Sequence, residues 1–366
     1  MISMFSRRLV SVCAIFAGLG VGCSGAVTAK TTAKDAGTTE ASDAGQSTGT
    51  DAAPEATTDS HADGSGAVAP QLITEPEQGL APIYALIASA KHTLDMTMYE
   101  LEDTQVTALL TTAAKGGVTV RVILDQNLEK SSNTTAYNAL AAGNVQVHWA
   151  DPTYAATHQK TITVDATTSA IMTLNLTSHY YATSRDFAVI TTDSADVAAI
   201  EATFDSDFAS SAVKPGAGDG LVWSPTSSQG LLIGLIAGAK TSLLVENEEM
   251  SNPDVVSALS SAAMRGVDVE VAMTASKSWD ANFATLTAAG VKVVTYASSA
   301  SLYIHAKVIL ADFGASDASV FIGSENFSDA SLTENRELGV ILTDPAIMTS
   351  INGTLSSDFS GGTAYP

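Results

Sequence analysis

Two hydrophobic periods alternate along this chain. Residues 83 to 91 read as a short helix, and "TLDMTMY" (93 to 99) as an apolar strand. "DTQVTALLTTAAKGG" then places Ala and Leu at helical spacing and stops at glycine, and "VTVRVIL" is a strand again. Strand, glycine-terminated helix and strand form the pattern of a βαβ unit, which requires a parallel or mixed sheet. The order then recurs as a helix over 230 to 240, the strand "SLLVENEE", the helix "NPDVVSALSSAAMRG" and the strand "VDVEVAM".

The recurrence is a duplication. Residues 86 to 120 align without a gap to 235 to 269, and Leu86, Ile87, Lys91, Leu94, Val106, Leu110, Gly117 and Val120 all reappear 149 positions later. Each half closes with a strand containing His-x-Lys and one further strand, "DFAVITT" or "ELGVILT". The expected fold is α/β: two pseudo-symmetric α-β-α sandwich halves, residues 69–214 and 215–366, each with a mixed sheet. The two are joined near "KPGAGDGLVWSP", with an active site at their interface.

Two regions fall outside this pattern. Residues 1–23 have a basic start (Arg7, Arg8), an apolar run too short to span a bilayer and small residues before Cys23. They read as an export signal of lipoprotein type with Cys23 as the lipidated residue, so the protein is expected to be exported, either membrane-anchored or secreted. Residues 24–68 are almost all Ala, Thr, Ser, Gly and Asp and form an expected disordered linker, since they bury too little apolar surface to offset chain entropy. Both cysteines of the chain, Cys13 and Cys23, lie in the signal, which excludes disulfides and cysteine metal sites from the body. The net charge is −22, most of it carried beyond residue 68, which weighs against a nucleic-acid partner.

The candidate chemistry lies in "THQKTITVDATTSAIMTLNLT" (157 to 177) and "YIHAKVILADFGASDASVFIGSENFS" (303 to 328). His158, Lys160 and Asp165 have the spacing of His305, Lys307 and Asp312. The offset between copies grows from 147 at the histidines to 151 at Asn175 and Asn326, placing an insertion around residues 313 to 319. His and Lys two apart on a strand share a face, and a buried lysine requires an anionic partner. Two lysines and two asparagine amides suit phosphate oxygens. Two histidines can supply a nucleophile and an acid for phosphodiester cleavage. Zinc fits poorly, because lysine ammonium groups repel a divalent cation.

These residues resemble the signature of the phospholipase D superfamily, His-x-Lys-x4-Asp followed by Gly-Ser-x-Asn. The second copy matches in full at His305, Lys307, Asp312, Gly323, Ser324 and Asn326; the first has Met172-Thr173 in place of Gly-Ser, and Met172 for Gly implies a less open turn. The resemblance implies a phosphohistidine formed by one His, with the other protonating the leaving alcohol and then activating water. By the same analogy His158 is the nucleophile, His305 the acid, and Asp186 and Glu337 orient the histidines. Lys160, Lys307, Asn175 and Asn326 complete the catalytic set; Thr173, Ser324 and Gly323 form the phosphate-binding turns; Asp165 and Asp312 are structural.

His92 and His148 read as structural residues, and His179 as a cleft or loop residue. Trp149, Tyr154, Trp279, Tyr296 and Tyr303 lie near the strand ends expected to form the mouth, and the acidic "VENEEM" reads as the end of a repeat strand. The expected activity is phospholipid hydrolysis to phosphatidate plus alcohol, with transphosphatidylation as a variant, needing no cofactor or metal and one chain only, with a phospholipid or membrane surface as partner. The alternative is a metal-independent nuclease.

Overall fold

The computed structural model describes residues 69–366. The expected export signal with Cys23 and the linker over 24–68 lie outside the described residues. Within them the duplication becomes two sheets of the same design. The first half contains β1 (Gln71–Glu75), α1 (Ala81–Ala88), β2 (Thr93–Met98), α2 (Thr104–Lys115), β3 (Thr119–Leu124), α3 (Lys130–Ala142), β4 (Gln146–Trp149), β5 (Thr161–Val164), β6 (Thr168–Met172), β7 (Ser184–Thr191) and α4 (Ser194–Phe208). The second contains β8 (Leu221–Ser224), α5 (Ser228–Gly238), β9 (Ser242–Glu246), α6 (Pro253–Met264), β10 (Asp268–Thr274), α7 (Asp280–Ala288) and β11 (Lys292–Tyr296). It continues through β12 (Tyr303–Ile304), β13 (Val308–Ala311), β14 (Ser319–Gly323), α8 (Asp329–Thr333), β15 (Glu337–Leu342), α9 (Pro345–Gly361) and β16 (Thr363–Ala364).

The strand orders are β1-β7-β6-β5-β2-β3-β4 and β16-β11-β10-β9-β13-β14-β15-β8. In each, three strands joined by helical crossovers run parallel and their other neighbours in these orders are antiparallel, so both sheets are mixed; β12 of the second half adds to the first sheet, parallel to β7. Each sheet packs three helices on one face, with their own apolar cluster. The fourth long helix packs on the other face, α4 against β2, β5 and β6 and α9 against β9, β10 and β13. The four best-defined helix starts take their caps from the chain itself: Asp103, Asp193, Asn252 and Asp344 each accept from backbone N–H groups of the first turn.

Two further apolar clusters join the halves. Phe187 and Val189 of β7 pack with Val308, Leu310, Val320 and Ile322 and with Ile347, Ile351 and Leu355 of α9. Ile171 and Ile200 of the first half pack with Leu221, Trp223, Leu338 and Val340 of the second. Burying both sets makes the interface a core shared by the halves.

Three local expectations change. The end of the predicted connection, "LVWS", is β8, which pairs antiparallel with β15, so the connection is shorter than the glycines and prolines suggested. The His-x-Lys triplets are extended but stand outside the regular ladders, immediately before β5 and between β12 and β13. The other half takes up their backbone hydrogen bonds: His158 and Gln159 N–H donate to the Arg336 carbonyl, at 2.9 and 3.0 Å, and His305 N–H to the Arg185 carbonyl, at 3.3 Å. Met172, expected to crowd the first turn, instead points into the apolar core.

Candidate active site

The crossed backbone pairing puts each histidine against the other half's closing strand, and each takes its carboxylate from there. His158 Nδ1 lies 2.8 Å from Glu337 Oε2 and 3.1 Å from the Ser324 carbonyl oxygen. His305 Nδ1 lies 2.8 Å from Asp186 Oδ1. Both Nδ1 atoms therefore face proton acceptors and carry the proton, which leaves the lone pair of a neutral ring on Nε2. Glu337 is fully buried, and its second oxygen accepts from Ser331 Oγ (2.5 Å) and Asn335 Nδ2 (2.9 Å). Burial alone would favour its protonated form, but His158, Lys160 and Ser331 bring its carboxyl below the usual range. His158 is pushed below the usual histidine range by burial, against the attraction of Glu337 and helped by Lys160 and Lys307.

The hydroxyls of Thr173 and Ser324 have matching posts. Thr173 Oγ1 accepts from Phe187 N–H (2.9 Å) and donates to Asp186 Oδ1 (2.5 Å). Ser324 Oγ accepts from Leu338 N–H at 3.1 Å. Thr173 thus does in the first half what the second half assigns to serine. Gly323 faces Gly339 across the ladder, and a Cβ there would stand 2.4 Å from the Gly339 Cα and from Glu325 Oε2.

Both lysines are completely buried, and each folds back to donate to the carbonyl of its own motif histidine, Lys160 to His158 at 2.6 Å and Lys307 to His305 at 2.5 Å. Burial, reinforced by Lys307, lowers Lys160 well below the usual lysine value. Lys307 belongs to the other half, so the surroundings of Lys160 are built from both. Asn175 and Asn326 each hold a buried Oδ1 with no hydrogen-bond partner.

The motif aspartates sit at the far ends of β5 and β13. Asp165 accepts from the N–H groups of Lys91, His92 and Thr93, and Asp312 from those of Lys240, Thr241 and Ser242. Both have positive φ, 52° and 53°, and each latches its turn to the start of the neighbouring strand. The four-residue difference between the copies falls here, in the β5–β6 and β13–β14 turns.

Of the predicted mouth aromatics, only Tyr303 meets the catalytic groups. Trp149 stacks on Tyr137, Tyr154 covers Arg336, Trp279 packs on the second core and Tyr296 bonds the Asp358 carbonyl. His148 stacks on Phe208, His179 is exposed near Glu102, and the backbone of His92 serves the Asp165 latch.

Two residues of the site escaped the sequence reading. Glu248, inside "VENEEM", enters the cluster: its Oε2 accepts from Lys307 Nζ at 3.0 Å and lies 3.5 Å from His305 Nε2. The equivalent position of the first half is Tyr99, whose ring lies 4.8 Å from Lys160 Nζ and edge-on to His158 at 4.5 Å. The signal that points to both is the Tyr/Glu difference at one repeat position. Among the described residues no group of three or more His, Cys, Asp and Glu side chains is arranged to hold a metal ion.

A family model described as "Cardiolipin synthase, PLD-like domain" matches residues 83–208 and again 232–359. Polyphosphate kinase from Porphyromonas gingivalis has a TM-score of 0.64 to this chain at 16% identity over 78% of it. The match covers 46% of the kinase, so the chain spans about half of that protein's length. Phosphatidylserine synthase from Haemophilus influenzae Rd KW20 has a TM-score of 0.60 at 11% identity, covering 78% of this chain and 85% of its own. Nuc from Salmonella typhimurium, a phospholipase D family member, is 27% identical over 40% of this chain and 95% of its own, with a TM-score of 0.36. Among curated proteins, none matches.

Proposed function

The chain belongs to the phospholipase D-like family, and from that premise we propose that it is a phosphodiesterase that hydrolyses phospholipids to phosphatidate and the free alcohol, with transfer to a second alcohol as a companion reaction. The observation that carries the proposal is the crossed pair of clamps, His158 on Glu337 and His305 on Asp186. They present two imidazole Nε2 atoms of different character to one site. Burial keeps His158 neutral, as a nucleophile requires. His305 has carboxylate oxygens at both ring nitrogens, an arrangement satisfied in full by a ring that donates from both.

His158 Nε2 attacks phosphorus as the bond to the alcohol oxygen breaks, and His305 Nε2–H gives its proton to that oxygen. Water then attacks the phosphohistidine: His305 takes the water's proton, the new P–O bond forms, and the P–N bond breaks with its electrons returning to His158. Lys160 and Lys307, with the Nδ2 groups of Asn175 and Asn326, donate hydrogen bonds to the phosphoryl oxygens and stabilise their charge. An alcohol in place of water gives transfer.

The lipid reading is supported over the nuclease reading by charge. The chain carries a net charge of −22, and Glu248 puts a carboxylate into the site itself, both of which repel a polyanionic strand. No helix among the described residues is long and apolar enough to cross a membrane. The expected export and lipidation at Cys23 would hold the enzyme at a membrane surface.

The test uses the full chain in EDTA with phosphatidylcholine or phosphatidylethanolamine vesicles, and separately with single- and double-stranded DNA. Headgroup release abolished by both His158→Ala and His305→Ala is the expected result. DNA cleavage with lipids untouched establishes the nuclease instead.

A further inference from the structure

We propose that Glu248 is a specificity-determining residue: its carboxylate occupies the phosphoryl-oxygen subsite of the second half and gives it up to a phosphodiester whose departing alcohol carries a positive charge. The inference deepens the reading above and rests on it, including on His305 as the acid.

One oxygen of Glu248 gathers the groups that a phosphoryl oxygen would use. Oε2 is 3.0 Å from Lys307 Nζ, 3.4 Å from Asn326 Nδ2 and 3.5 Å from His305 Nε2. Oε1 accepts from the Tyr303 hydroxyl at 2.9 Å, so the carboxylate is fixed at both ends. Burial acts against its charge, but Lys307 and His305 outweigh burial and hold Glu248 ionised. Substrate therefore enters this subsite by displacing a charged group, not by waiting for it to be neutralised.

The direction of displacement follows from His305. Its Nε2 hands the proton to the leaving oxygen, and Glu248 lies against that same nitrogen, so the departing alcohol is built next to the displaced carboxylate. Once Lys307 turns to the phosphate, Glu248 has lost its counter-ion and faces a second anion. A cationic alcohol supplies a new partner; a neutral or anionic alcohol leaves two like charges in contact. The surroundings fit a donor-bearing cation. Asn326 Oδ1 is buried without a partner. Glu249, a part-buried carboxylate whose value burial raises and which feels Glu248, lies alongside. The half-exposed Tyr303, on the other carboxylate oxygen, stands beside them.

The first half lacks this device. Its equivalent residue is Tyr99, whose ring covers Lys160 without filling the anion position. The discrimination thus acts on one side of the phosphorus, where the alcohol leaves.

The experiment measures kcat and KM for phosphatidylethanolamine and phosphatidylglycerol of the same acyl chains in detergent micelles, together with competitive inhibition by inorganic phosphate. It compares the full-length protein with its Glu248→Gln and Glu248→Asp variants. The wild type is expected to prefer the ethanolamine lipid. Glu248→Gln should reduce that preference roughly tenfold, chiefly by lowering KM for the glycerol lipid, and should tighten phosphate inhibition. Glu248→Asp, which keeps the charge, should retain the preference. A merely structural role would lower kcat on both lipids alike with the preference unchanged, and that result overturns the inference while leaving the phosphodiesterase reading intact. Absence of headgroup release from both lipids by the wild type overturns both.

Discussion

Replacing Glu337 by Gln alters one atom at the centre of the site and leaves its volume nearly unchanged. Glu337 accepts three hydrogen bonds: Oε1 from Ser331 Oγ and Asn335 Nδ2, Oε2 from His158 Nδ1. A glutamine has one accepting oxygen. If that oxygen stays with Ser331 and Asn335, the amide NH2 faces His158 and calls for a lone pair on Nδ1. The proton then moves to Nε2 and removes the nucleophilic lone pair, while Nδ1 is left against the Ser324 carbonyl oxygen 3.1 Å away. If the amide turns over, its NH2 meets Asn335 Nδ2, a donor against a donor in a buried space. Both orientations cost the histidine its correct tautomer or its support, and loss of tautomer control in an acid–base–nucleophile set lowers turnover by about 10³- to 10⁴-fold. The expected outcome is that loss in kcat with KM within a few-fold and a folded protein. Single-turnover headgroup release, with acid quench to count the phosphorylated enzyme, reads the first step alone, and that step should carry the whole deficit. Activity within tenfold of wild type would show that Glu337 does not set the His158 proton and would refute the crossed-clamp argument.

Arg336 is buried and pairs with Asp207 of the first half at 2.9 Å, so Arg336→Met strands a carboxylate and should cost about 3 kcal/mol in urea unfolding. Arg336→Met with Asp207→Leu should recover most of that loss, and equal stability of single and double variants would contradict the pairing. Burial, with Asp186 and Glu77 nearby, raises Glu75 from 4.5 to about 7. The folded chain therefore keeps a proton that the unfolded chain has released, and stability falls as pH rises through that window. Glu75→Gln should be close to wild type at pH 4 and more stable by on the order of 2 kcal/mol at pH 8, measured as the pH dependence of Tm. Asp312→Ala removes the acceptor for three backbone N–H groups and should destabilise by about 2 kcal/mol while turnover per folded molecule is preserved. A matching fall in kcat would give Asp312 a role beyond the latch.

The duplication made the fold legible. A gapless match of thirty-five residues carries the βαβ period of both halves. The two full His-Lys-Asn sets also stood out, because ionisable residues inside apolar runs are conspicuous. What the sequence hid depends on which half meets which. Nothing in "SRDFAVI" or "NRELGVI" says that Asp186 serves the distant His305 and Glu337 the distant His158; which carboxylate reaches which histidine is decided by tertiary packing. Glu248 was hidden differently. As part of an acidic run it looked like a solvated strand end, and only the position of Lys307 makes its charge inward-facing.

The residue preceding each clamp explains why docking and catalysis are inseparable here. Arg185 and Arg336 occupy the same repeat position, and each reaches across to the last long helix of the other half. Arg185 meets Asp358 of α9 at 2.5 Å, and Arg336 meets Asp207 of α4. Asp207 and Asp358 are themselves repeat equivalents, in an Asp-Ser-Asp-Phe and a Ser-Ser-Asp-Phe ending of their helices, 151 positions apart. Arginine and carboxylate are adjacent on one strand, so their side chains leave it on opposite faces. One face locks the halves together by ion pairs, and the other delivers a carboxylate to the partner histidine. A half folded alone would leave its helix aspartate without its arginine and its histidine without a clamp, and Arg185 would keep only its bonds to Glu75 and Glu77 of its own half. The same few residues thus make the active site conditional on the correct mating of the halves. The asymmetry that distinguishes nucleophile from acid has to come from elsewhere, and Tyr99 against Glu248 is a pair of equivalent positions at which the two half-sites differ in charge.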